Sequence, residues 1–141
     1  MTFVLKSFLG AQEVDWEELL SNVSVTKGDI LYWASGYLSN AYTSVTCALV
    51  AGVAMETVDN SAGSAGDKNI IYQPSPLAIY DVDTADTMTQ AYVGNNVALA
   101  SASTVTSASD GTDITGVWKI MKLISTSKCR GRINFSSEAD T

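Results

Sequence analysis

The chain has 141 residues, 8 of them basic and 15 acidic, with no histidine and a formal net charge of −7. That is the size of one ordinary domain around a single core, and its acidic balance excludes a non-specific nucleic-acid binder, which must neutralise phosphates with Lys and Arg. Hydrophobic residues make up 46% of the chain but are scattered among Ser and Thr, and no run approaches the ~20 apolar residues of a membrane span.

From the N-terminus, MTFVLKSFLGAQEVDW lacks the basic segment and long apolar core of a secretory signal, so folding in the cytosol of the producing cell is expected. Residues 1–12 carry isolated apolar side chains, Phe3, Leu5, Phe8 and Leu9, without sustained periodicity, and read as an arm. Asp15-Trp16-Glu17-Glu18-Leu19-Leu20 predicts one or two helical turns: Asp15 caps, Glu18 stands three residues on, and acids suit the positive end of the helix dipole. The division is therefore residues 1–22, an arm with a short helix, and residues 23–141, a β-domain.

From Val25 the pattern is that of short antiparallel strands separated by turn residues. Strands are expected over Ile30–Trp33, Val45–Val50, residues 52–56, Asn69–Gln73, Leu77–Val82, Val117–Ile124 and Arg132–Phe135. Turns fall at Lys27-Gly28-Asp29, Ser35-Gly36, the loop SAGSAGD at 61–67, Gly94-Asn95-Asn96 and Asp110-Gly111. Pro74 and Pro76 cannot donate to a ladder and mark an edge or corner. The low-complexity run ALASASTVTSAS at 98–109 reads as an exposed strand or long loop.

Little here supports catalysis. Without histidine, Ser-His-Asp and Cys-His arrangements are impossible, as is a zinc site built from Cys and His around Cys47 and Cys129. Those two cysteines read as buried, reduced thiols, with a disulfide between them left open. Asp81, Asp83 and Asp86 have the oxygen density of a calcium loop but lack its glycine and terminal glutamate, and SAGSAGD has no P-loop lysine. No metal or cofactor is expected. Glu13, Glu17 and Glu18 offer carboxylates for glycoside chemistry, though acids at a helix start are explained by its dipole.

One charge asymmetry stands out. Five of the eight basic residues, Lys119, Lys122, Lys128, Arg130 and Arg132, fall in the last 25 positions, with no acid between Asp113 and Glu138. Lysines on a solvated edge strand that discourage aggregation, and a docking edge for an acidic protein surface, explain this equally well.

The order V-T-K-G-D-I-L at 25–31, G-V-A-M-E-T-V at 52–58, a glycine-containing loop and a strand at 69–73 resembles the small bacteriophage capsid decoration proteins, also called cement proteins. In that family a Lys-Gly-Asp turn opens a β-domain and a Gly-Val-Ala strand follows after about one hairpin. The resemblance covers residues 25–73 and is one of texture beyond; the Tyr32-Trp33 pair and the strands after Pro76 depart from the pattern.

The resemblance implies a mainly β fold, a small antiparallel β-barrel or β-sandwich (β-tulip-like), with an extended N-terminal arm and at most a short helix. It also implies a non-enzymatic protein on the outer surface of a phage head. Such a protein binds the major capsid protein and itself, most often as a trimer, and cements neighbouring capsomers. Phe3, Leu5, Phe8 and Leu9 would then be a capsid-binding arm that orders only on a neighbour. Tyr32 and Trp33, one on each face of their strand, would place one outward ring in the oligomer interface. Two other readings stay open: a carbohydrate- or receptor-binding β-module on a virion surface, using rings such as Tyr37, Tyr42, Tyr72 and Trp118, and a small carboxylate-dependent hydrolase.

Overall fold

A computed structural model describes residues 3–8, 14–40, 49–74, 78–106 and 116–134. Among them there are thirteen β-strands, a short 3-10 turn at Gln90–Tyr92 and no α-helix. Cys47, Leu9 and the first part of the strand expected at Val45–Val50 lie outside the described residues.

The strands form two closed or nearly closed walls. In the first, β9 (Ala78–Thr84), β11 (Thr104–Thr106), β10 (Asn96–Ser101), β12 (Trp118–Ser125) and β13 (Lys128–Ile133) follow one another until β13 returns to β9, giving a five-stranded barrel. In the second, β2 (Asp15–Glu18), β8 (Asn69–Gln73), β6 (Val50–Ala54), β4 (Ile30–Ala34) and β5 (Tyr37–Asn40) form an open sheet whose ends meet through a parallel bridge between Leu19 and Leu38. A two-stranded ribbon, β3 (Val23–Val25) with β7 (Val58–Asn60), completes the fold.

The single core expected from chain length is in fact two. Ile30, Val50 and Val53 belong to one hydrophobic cluster with Tyr80, Val97, Leu99, Trp118 and Ile120, whereas Leu31, Ala51 and Ala54 belong to another with Leu19, Leu38 and Ile70. Because side chains alternate along a strand, β4 and β6 present one face to each cluster and serve as a common wall. A bulge at Ala51, where Leu31 pairs with Gly52 and Tyr32 with Val50, resets the alternation so that Val50 and Val53 both reach the first core.

Local chemistry explains the β4–β5 hairpin. Ser35 and Gly36 both have positive φ, 54° and 83°, the pairing that a two-residue hairpin turn matched to strand twist requires. Upstream, Asp29 Oδ2 accepts the Thr26 N–H at 3.0 Å, and the Gly28 carbonyl accepts the Phe3 N–H at 3.0 Å. The Ile30 N–H donates to Ala102 O at 2.8 Å. The Lys-Gly-Asp turn therefore stitches both walls together.

Two N-terminal expectations are corrected. Residues 15–18 are strand β2, not a helix: they pair in register with β8, Trp16 opposite Ile71 and Glu17 opposite Ile70. Asp15 accepts the N–H of the next residue, Trp16, and so caps no helix. Nor do residues 3–8 wait for a neighbour. Val4–Phe8 forms strand β1, which pairs antiparallel with β9 through Leu5 opposite Tyr80 and Phe8 opposite Ala78. Phe3 is buried against the Trp118 ring at a centroid distance of 5.0 Å. The run at 98–109 is corrected in its first part: Leu99 and Val105 on β10 and β11 are buried, so small polar residues there fill the outer face of two barrel staves.

Candidate docking surfaces

Strand β13, K-C-R-G-R-I, alternates strictly. Cys129, Gly131 and Ile133 are buried inward while Lys128, Arg130 and Arg132 lie on the outer face. Across from them on β12, Lys119 stands opposite Arg132 and Lys122 opposite Arg130. Directly opposed like charges destabilise a ladder, so the positive ribbon needs acids nearby. Strand β9 supplies them. Asp81 pairs with Arg130 in register and accepts from it in a fork, Nε to Oδ1 at 2.8 Å and Nη2 to Oδ2 at 3.3 Å, while Asp83 lies 3.8 Å from Lys128 Nζ. The Asp81 carboxylate raises the Arg130 pKa above its ordinary value, through the hydrogen bond first and then through charge.

The predicted basic edge is thus not a sheet edge, since β13 sits between β12 and β9 in a closed barrel. It is a basic ribbon on the barrel's outside, with Lys128 and Arg130 answered by β9. Lys119 also donates to Gly94 O at 3.2 Å. The same pairing accounts for two of the three aspartates of the candidate calcium loop; the third, Asp86, accepts from the Thr106 hydroxyl at 3.2 Å.

Eight residues of β12 oppose six of β13 because Met121 and Ile124 are each inserted at a bulge. Bulged side chains have no cross-strand neighbour, and both are exposed, Ile124 near the hairpin turn and Met121 beside Lys122 farther along the ladder. On the other wall, Val14, Trp16 and Ile71 make a second exposed apolar patch, with Trp16 59% exposed. Glu18 follows on the Trp16 face of β2, and Glu56 accepts the Ile71 N–H at 3.1 Å. The helical expectation hid this patch; the two-residue spacing of Val14, Trp16 and Glu18 is the signal that reveals it.

Tyr32 and Trp33 do point to opposite faces, but neither is the outward ring expected for an interface. Tyr32 packs against the first core and Trp33 against the second, where it meets Tyr72 edge to face at 6.5 Å. A strand between two cores has no outer face. Tyr72 is buried in the second core, and burial first, then the charges of Asp15 and Glu17, raise its pKa.

The loop 61–67 frames a shallow pocket of about 340 Å³ lined by Asp59, Asn60, Asp67 and Lys68. Its carboxylates are engaged by the backbone: Asp59 accepts from Ser61 N and Asp67 from Ser64 N, while Lys68 Nζ donates to Asp59 O at 2.7 Å. Among the described residues no group of three or more Cys, Asp or Glu is placed to hold a metal. Cys129 is buried and free of disulfide, and burial pushes its thiol up to about 11.

The architecture is thus a mainly β unit with a five-stranded barrel and exposed apolar side chains on both walls. In fold the chain is similar to the N base of head fiber gp8.5 in bacteriophage phi29. That crystal structure matches with a TM-score of 0.56 and 16% sequence identity over 88% of this chain and 97% of the other. At that identity the likeness is one of fold. No protein-family model matches the chain, and no curated protein does.

Proposed function

We propose that the chain is a non-enzymatic structural protein of a phage head, seated on the outer capsid surface and holding neighbouring capsomers together. The observation that carries this reading is the likeness to the phi29 head-fiber base over nearly the whole of both chains. A fold hosts many functions, so the surface must bear the weight. Here it offers exposed apolar side chains and a basic ribbon, while histidine is absent from the chain.

In this reading the partners are the major capsid protein and further copies of the chain, a trimer being the expected assembly. Phe3 is buried in the barrel core, which supports the outer ribbon rather than an N-terminal arm as the proposed capsid contact. Lys128 and Arg130 are answered by β9, so Lys122 and Arg132 are the residues proposed to steer docking onto an acidic capsid. The test is co-sedimentation with purified heads. The protein should pellet with them, and binding should weaken as ionic strength passes about 0.15 M, where the Debye length is ~8 Å. Absence from the pellet at low salt would refute the reading.

A second reading, a carbohydrate- or receptor-binding module of a virion surface, is favoured by Trp16, whose exposed indole lies with exposed Ile71 on the outer face of the second wall. Glycan binding that Trp16→Ser abolishes, in a protein that ignores heads, would establish it instead.

A further inference from the structure

The outer face of the β12–β13 hairpin divides into two parts of different charge. Towards β9, Asp83 and Asp81 answer Lys128 and Arg130. Towards β12, Lys122 and Arg132 have no ion-pair partner among the described residues. The next segment brings none either. Residues 88–95 run beside β12, where the Met88 N–H donates to Thr126 O at 2.8 Å and the Gly94 N–H to Ile120 O at 2.7 Å, and they contain neither Asp nor Glu. A bulge sets one apolar side chain into this acid-free part. Ile120 pairs with Gly131 and Lys122 with Arg130, so Met121 is the inserted residue; it is 42% exposed and stands between Lys122 and the Lys119–Arg132 pair. Bulges re-aim a side chain, and a thioether adapts its shape to the surface it meets.

We infer that Met121 is the apolar anchor of the contact that Lys122 and Arg132 steer, and that the partner is a protein surface presenting an apolar hollow edged by Asp and Glu. The inference rests on the head-binding reading and assigns the part of that contact which charge does not supply. Exposed charges set the approach and its dependence on salt, whereas an apolar side chain buried on docking holds the complex once formed. Like charges opposed across a ladder cost stability in the free chain, and an acidic partner removes that cost at Lys122 and Arg132. Ile124, the other bulged side chain, takes no part. It lies near the turn, where Asp83 faces Lys128.

The experiment is co-sedimentation with purified heads at ionic strengths on either side of about 0.15 M, for the parent, Met121→Ser, Met121→Leu, Ile124→Ser and the double variant Lys122→Ser with Arg132→Ser. Met121→Ser should bind about tenfold more weakly than the parent at every salt concentration, with the same salt dependence. The double variant should instead bind with a flatter salt dependence. Met121→Leu and Ile124→Ser should both bind within about twofold of the parent, the first because leucine refills the hollow. Thermal unfolding at the parent's midpoint checks that each variant folds, and Met121→Leu separates a lost anchor from a disturbed bulge. If the parent pellets and Met121→Ser binds equally well, or Ile124→Ser loses as much, the inference falls and the head-binding reading stands. If the parent does not pellet, both fall.

Discussion

The two cores solve the same packing problem with different materials. The first is built on rings: Trp118 contacts Phe3 at 5.0 Å and Tyr80 at 6.2 Å, all buried inside the closed barrel. The second is mainly aliphatic, with Leu19, Leu31, Leu38 and Ile70 fully buried and Tyr72 buried among them. Rings bury large areas but bring polar atoms with them. The Tyr80 hydroxyl and the Trp118 Nε1 are buried without a hydrogen bond of regular geometry, and the indole N–H instead faces the Cys129 sulfur. Rings also need room. A Cβ at Gly131 would run into the Lys119 carbonyl and stand 3.1 Å from the Trp118 ring. The second core has fewer rings, but it makes the same demand for room at Gly52, where a Cβ would run into the Gln73 carbonyl and stand 3.0 Å from the Tyr72 ring.

The strongest way to break this comparison is to empty each core in turn. Trp118→Ala should lower the unfolding free energy by about 4 kcal/mol and Leu38→Ala by about 3 kcal/mol, read from denaturant titration. Both variants should still unfold in one transition, because β4 and β6 carry side chains of both cores. A second transition in Leu38→Ala would mean that the aliphatic wall melts alone.

The room that rings require can be tested next. Gly131→Ala should cost about 2 kcal/mol by the same titration, since the obstructing atom is backbone and cannot swing away. An unchanged midpoint would show that β12 yields.

Cys129 gives a smaller effect with a defined pH window. Its thiol, pushed up to about 11 from 9.0, stays neutral in the folded barrel after the unfolded chain has begun to release its proton. The contribution is therefore complete below pH 9 and lost as pH rises towards 11, about 2 kcal/mol in all. Stability measured against pH should fall in that window for the parent and more shallowly for Cys129→Ala.

The smallest change is expected at Tyr80. Burial raises its pKa, and its hydroxyl lacks a partner, so Tyr80→Phe should be neutral or stabilising by up to about 1 kcal/mol. A loss of more than that would indicate that a bound water satisfies the hydroxyl.

What the sequence by itself determined is local. N-I-I-Y-Q at 69–73 is β8 to the residue and Ser35-Gly36 is the hairpin turn, while the strand expected from Arg132 in fact begins at Lys128. Each depends on a two-residue period or on the φ preference of one or two residues. The basic ribbon was legible in the same way, as a cluster of cations, but not its partners: Asp81 is 49 positions from Arg130 and meets it only because β13 returns to β9.

Tertiary structure decided the rest. Asp15–Glu18 has the composition of a helix start, yet four cross-strand partners on β8 outweigh a propensity difference of a few tenths of a kcal/mol per residue. Residues 4–8 become a barrel strand because β9 leaves an edge beside β11 for them to fill. Tyr32 and Trp33 lose their outward ring because a second core covers the other face of β4. The period of a strand states that its faces differ, but whether a face meets solvent depends on segments far away in the chain, and only the folded molecule brings them there.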